Sequence, residues 1–299
     1  MRNFFVGLLV AAFLPFIAGF ADVPPEKNPD KNIEQGIDKK TMLFPRDQLF
    51  YAPMASPKEP RTHLTYLRLK LSDDSFNIGS LGIGDTFGLV RWAGWGEKDA
   101  WQLNISGAVF AQFNLGAESG SMDLINADYI IGIPLAYRNG PWSARVRLFH
   151  QSSHLGDEFL LQPQKPELKV TRMNLSFETI EMLGAWEWEG FQFTAGPSYI
   201  IHTDTDLKPV SVQAGIEYQD RKPFFKPSMR LFVSALCHAW EETDWNPDYN
   251  VKAGVNIRGP YAEKRGIQIF GEYYYGNLPF GQFYKLRAEY YGVGINVSF

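Results

Sequence analysis

The chain has 299 residues with a single cysteine, and its 29 Lys and Arg stand against 33 Asp and Glu, a formal net charge of −4 at pH 7. One cysteine excludes an internal disulfide framework and a Cys-based metal site, and a weakly acidic charge spread without blocks of one sign argues against nucleic acid as a partner. Aromatic residues make up 15% of the chain, yet no run of ~18 apolar residues follows the N-terminal segment, so any crossing of a membrane falls to strands in which apolar and polar residues alternate.

The first residues, MRNFFVGLLVAAFLPFIAGFA, carry one charge at Arg2, an apolar stretch from Phe4 to Phe20, and small residues at Gly19 and Ala21. This is the pattern of a secretory signal peptide over 1–21, and Asp22 after it is not the cysteine of a lipoprotein. Residues 22–61 begin rich in Pro and Lys and lack an apolar period. They read as a periplasmic N-terminal arm, with MLFPRDQLFYAPM folded against or into the rest.

From Thr62 onward the chain alternates. In AWQLNISGAVFAQFNL, Trp101, Leu103, Ile105, Val109, Ala111, Phe113 and Leu115 share one parity, and Gln102, Asn104, Ser106, Gln112 and Asn114 share the other. Period two over that length is a strand longer than most soluble sheets hold. The pattern recurs around Asn139-Gly140, a strong hairpin signal, as Tyr129 to Tyr137 before it and Trp142, Ala144, Val146 and Leu148 after it.

Twelve such segments are expected, at 62–71, 80–93, 100–115, 128–138, 141–154, 168–180, 190–203, 209–218, 227–240, 249–258, 266–276 and 287–299. The second, LGIGDTFGLVRWAG, alternates poorly and its glycines predict a bulge. In the sixth, Met173, Leu175 and Phe177 oppose Arg172, Asn174, Ser176 and Glu178. The charged face, Glu178 included, is expected to line the lumen beside Arg145, Arg147, Glu217, Lys252 and Glu272, where opposite charges cross-link a narrow interior. An even strand count suits an all-β, antiparallel transmembrane barrel of the bacterial outer membrane spanning 62–299.

The final segment alternates through Tyr291, Val293, Ile295 and Val297 to Phe299. It resembles the terminal strand by which outer-membrane barrels are recognised, which makes the barrel-assembly machinery a partner through Phe299. With both ends periplasmic, the Asn139-Gly140 turn is periplasmic and 154–167 is an outer loop.

Within RLFHQSSHLGDEF, parity places Arg145, Arg147, Gln151 and Ser153 in the lumen, and His150, Ser152 and His154 on the lipid face near the outer-leaflet boundary. Polar groups facing lipid are costly without partners. A His and a Ser two apart on one face lie roughly 7 Å apart, close enough for the imidazole to act as base toward a serine nucleophile on an acyl ester. His154 is an alternative base. Asp157 and Glu158, beside Gly156, offer either a carboxylate to orient the histidine or oxygen ligands for calcium.

The His150-Gln151-Ser152 triplet resembles the His-x-Ser pair that outer-membrane phospholipase A and lipid A deacylase families carry on the exterior of a barrel. That resemblance implies a membrane-lipid substrate and a third residue, Asn or Glu on the next strand, that orients the histidine. A wider resemblance, carried by LFYAPMASPKEPR, DTFGL, LINADYIIGIPLAYR and FHQSSHLGDEF, is to the bacterial family catalogued as domain of unknown function 1207, which implies no activity. Two readings stay open. One is a lipid acyl-ester hydrolase; the other is a non-enzymatic barrel, either a narrow channel or a structural protein, in which the same stretch only shapes an outer loop.

Overall fold

A computed structural model of the protein describes residues 41–96, 98–116, 122–161, 170–224, 229–258 and 266–298. The signal-peptide reading of 1–21, the first part of the arm and Phe299 lie outside the described residues. Twelve strands pair antiparallel in chain order: β2 (Thr62–Leu71), β3 (Asp74–Ala93), β4 (Asp99–Asn114), β5 (Asp123–Asn139), β6 (Trp142–Leu155), β7 (Leu175–Trp188), β8 (Phe191–Thr203), β9 (Val210–Gln219), β10 (Met229–Trp240), β11 (Asp248–Arg258), β12 (Gly266–Asn277) and β13 (Arg287–Ser298). β13 then pairs with β2, from Glu289 opposite Lys70 to Val297 opposite Thr62, and the sheet closes into a barrel.

A thirteenth strand, β1 (Met42–Leu43), lies outside this circuit. β3 has 20 residues and β2 only 10, so the pairing between them ends at Gly82 and the rest of that edge of β3 would be open. Met42 and Leu43 pair with Arg91 and Val90 there, covering part of an edge that would otherwise present unpaired N–H and C=O groups. The expected irregularity of β3 is a register shift between Gly88 and Val90. The two-residue turn joining β5 to β6 is Gly140-Pro141, one residue later than the Asn139-Gly140 expected, because Asn139 still pairs with Trp142. Gly140 starts it at φ 56°, a conformation glycine adopts at little cost, and this turn marks the lower end of the barrel.

The arm threads the lumen. Arg138 donates to the carbonyl of Leu49, Gln192 to that of Tyr51, and Asn250 to that of Ala55, while the N–H of Met54 donates to Glu217 and that of Ala55 to Ser234. Deeper along, Glu59 bonds Arg145 and Arg147, and Glu181 bonds the same two guanidiniums, with N···O distances of 2.5 to 3.4 Å. Charges taken out of water persist only when paired and hydrogen-bonded, and this quartet of two arginines and two glutamates is internally neutral. Burial opposes the charge on Glu59, but Arg145 and Arg147 hold its carboxyl well below the usual glutamate range.

From the upper end the β12–β13 connection folds inward, burying Leu278, Phe280, Phe283 and Tyr284 around a 3-10 turn at Gly281–Phe283. Arm and loop meet on one side chain. Fully buried Asp128 accepts Lys58 from the arm and the N–H of Gly281 from the loop on the same oxygen, while its other oxygen accepts Asn126. A Cβ at position 281 would lie 1.8 Å from Ser153 Oγ and 2.0 Å from Asp128 Oδ1, so only glycine fits. The lumen is therefore filled from both ends.

β7 departs from expectation in both span and facing. It begins at Leu175 rather than 168 and runs to Trp188; Leu175, Phe177, Thr179 and Glu181 are buried in the lumen, whereas Ser176, Glu178, Ile180 and Met182 point outward. The usual rule of apolar-out fails at its upper end because the lumen there is itself apolar: Leu175 and Phe177 pack with Ile200, Leu207 and Tyr284. Arg172 likewise does not line the lumen; it is exposed and precedes the strand. Arg145, Arg147, Glu217, Lys252 and Glu272 do point inward as expected, Lys252 pairing Glu272 at 3.5 Å.

Candidate functional site

β6 keeps the parity read from its sequence. Ser143, Arg145, Arg147 and Ser153 are buried inside, and His150, Ser152 and His154 stand on the exterior. Cross-strand pairing then decides their neighbours: His150 lies opposite Ile131 of β5 and Glu178 of β7, and Ser152 opposite Tyr129 and Ser176. Directly opposed residues share a face with Cβ atoms about 5 Å apart. The reversed facing of β7 thus puts a carboxylate beside the histidine.

Oε1 of Glu178 accepts Nδ1 of His150 at 2.8 Å, and its other oxygen accepts Nδ1 of His202, on β8, at 2.7 Å. A carboxylate only accepts, so both imidazoles carry their proton on Nδ1 and turn Nε2 away from Glu178. Nε2 of His150 is the ring atom left for Ser152. Among the described residues Ser152 Oγ has no hydrogen-bond partner, and catalytic bonds of this type often tighten only around substrate.

Of the other expected site residues, His154 is exposed one step further up β6, edge-on to the Tyr129 ring with centroids 5.9 Å apart. Asp157 and Glu158 open a short helix, α1 (Asp157–Leu161), and both are exposed. The carboxylate hydrogen-bonded to His150 is that of Glu178, not that of Asp157 or Glu158. No group of three His, Cys, Asp or Glu side chains that could hold a metal occurs among the described residues, so a calcium shell of six to eight oxygens at Asp157 and Glu158 would have to draw on carbonyls and water.

Beside this constellation the barrel wall is concave. Gly107 of β4 presents no side chain to the exterior, and around it Ile83, Phe87, Ile105, Val109, Tyr129 and Ile131 form an apolar groove that His150 borders. Asp85, Gly107, Ile131, His150, Glu178 and His202 occupy one continuous row of cross-strand partners over β3 to β8. At the lower end the exterior carries a stacked aromatic belt, Trp142 on Trp186 at 6.0 Å, Trp186 on Trp188 at 6.2 Å, and Trp188 on Phe191 at 6.3 Å. Such belts mark the membrane–water interface of barrels.

Among solved structures, the chain resembles outer membrane phospholipase A from Escherichia coli, with a TM-score of 0.54 and 14% identity over 84% of this chain and 93% of that one. A Salmonella typhi outer membrane phospholipase dimer with bound calcium gives a TM-score of 0.51 at 14% identity, covering 83% of this chain and 94% of that one. At such identity the likeness is one of fold, that of bacterial outer-membrane barrels. No curated protein sequence matches the chain. The family model described as protein of unknown function (DUF1207) matches residues 19–299, nearly the whole chain, which therefore belongs to the DUF1207 family.

Proposed function

We propose that the protein is an outer-membrane serine esterase that cleaves an acyl ester of a membrane lipid on the outside of its barrel. The observation that carries this is the hydrogen bond from His150 Nδ1 to Glu178, 2.8 Å, on the same exterior face as Ser152. Nucleophile, base and orienting carboxylate thereby come from two adjacent strands in the order of a triad. Solved barrels of similar fold include phospholipases, which favours a lipid substrate.

In the reaction, Nε2 of His150 takes the proton of Ser152 Oγ as that oxygen attacks the ester carbonyl. The same proton passes to the departing alkoxide, leaving Ser152 acylated. Water, deprotonated by His150, then attacks the acyl-serine, releasing fatty acid and restoring both groups. Glu178 keeps the proton of the imidazole on Nδ1 throughout and stabilises the imidazolium formed in each half.

The groove over Gly107 is where the acyl chain lies, because it is apolar, opens on the face that meets hydrocarbon, and ends at His150. The upper end, with His202 and α1, lies toward the headgroups. A channel is disfavoured, since arm and loop close the lumen at Asp128. Purified protein in lipid bilayers, with and without calcium, is expected to release fatty acid from phospholipid or lipid A. Ser152→Ala and His150→Ala should abolish release while the barrel still assembles; no hydrolysis by the wild type under either condition overturns the reading.

A further inference from the structure

Glu178 is held from both sides, and the second holder requires an irregularity in the barrel. In regular register the partner of Glu178 on β8 would be Ile201, since Thr179 pairs with Ile200. Instead a bulge leaves Ile201 without a partner and sets His202 opposite Glu178. The extra residue interrupts the ladder and leaves Ile201 and His202 both exposed. Bulges of this kind re-aim a side chain, and they gather near functional sites.

We propose that His202 is a positioning residue of the same site, resting on the esterase reading above. A carboxylate bonded through one oxygen swings about its last torsion, which is broad and shallow. Bonded through both oxygens, to His150 at 2.8 Å and His202 at 2.7 Å, it is fixed in the plane that serves the His150 ring. The two imidazoles also contribute unequally: the His202 side chain is 68% exposed and the His150 side chain 38%. His202 is the outer support and His150, next to Ser152 and the groove, the working base. Ser152, His150, Glu178 and His202 form a chain of four residues on three strands, its last link set by the bulge at Ile201.

The test compares wild type, His202→Ala and His202→Asn in micelles, reading kcat and KM on a medium-chain ester together with the 15N signals of the His150 ring. Loss of a hydrogen bond to a charged group predicts that His202→Ala lowers kcat about tenfold with KM unchanged, and that the His150 signals become those of mixed tautomers. Asn offers an N–H to the same oxygen and should recover most of kcat and the single tautomer. Wild-type kcat in His202→Ala with an unaltered His150 spectrum overturns the proposal, as does an equal loss in Ala and Asn. If the wild type is inactive, the esterase reading fails on its own, and the positioning role then stands or falls on whether the His150 tautomer depends on residue 202.

Discussion

Glu59 offers the sharpest test of how the barrel is held. Its carboxylate and that of Glu181 neutralise Arg145 and Arg147, and the four side chains are 5 to 7% exposed. Glu59→Ala leaves an uncompensated guanidinium charge in the lumen, and removal of one partner from a buried pair costs about 3–5 kcal/mol. Urea unfolding in micelles at neutral pH should show that loss. Pairing Glu59→Met with Arg145→Met restores neutrality, and the double variant should be less destabilised than Glu59→Ala alone. The depressed folded pKa of Glu59 means that its contribution is complete above the ordinary glutamate value of 4.5, declines as pH falls below it, and vanishes once the lowered folded value is passed. Glu59→Gln should therefore flatten stability against pH on the acid side of that value. A Glu59→Ala barrel destabilised by less than about 1 kcal/mol, within the range of an exposed pair, would refute the quartet as a buried unit.

Three further outcomes are expected. Replacing the orienting carboxylate, Glu178→Ala, should lower kcat about 10- to 100-fold, part of the 10²–10⁴ that a general base contributes, with Glu178→Gln intermediate because its amide oxygen still accepts one imidazole; fatty-acid release measures it, and a wild-type rate in Glu178→Ala would remove Glu178 from the site. Gly107→Phe fills the groove, so the ratio of long-chain to short-chain ester hydrolysis should fall at least about tenfold, the scale on which a pocket discriminates by chain bulk. The wild-type barrel should be silent in planar bilayers, and Asp128→Ala, which severs the arm from the upper loop, should produce conductance steps.

Where the lumen is polar, facing was legible. Gln102, Asn104, Ser106 and Gln112 of β4 are buried inside as alternation predicts, and the same rule placed His150 and Ser152 on the exterior. It failed for β7 because Leu175 and Phe177 pack on an apolar lumen built by Leu207 and Tyr284, residues remote in sequence. The lower half of the strand held the missing signal: Ile180, Met182, Trp186 and Trp188 share the parity of Glu178, and a strand read from that end puts Glu178 outside. His202 had no comparable signal. Its facing depends on the bulge at Ile201, and strict alternation along β8 would have turned it inward.

The interior and exterior of the barrel also bear on each other through β6 and β7. Arg147 lies opposite Glu181 on the inner face, and three residues further up His150 lies opposite Glu178 on the outer face of the same pair of strands. A one-residue slip would exchange the faces, carrying Glu178 into the lumen and Glu181 to the lipid. The Arg145, Arg147, Glu181 and Glu59 quartet opposes that slip, because it would take Glu181 out of the lumen and leave the two buried arginines with the single carboxylate of Glu59. The filled lumen is thus a source of rigidity for the His150 and Glu178 pair on the opposite surface, and under the proposed esterase reading a shift of about 1 Å in the base would cost on the order of a hundredfold in rate. Destabilising the quartet should loosen the His150 to Glu178 bond before the barrel unfolds.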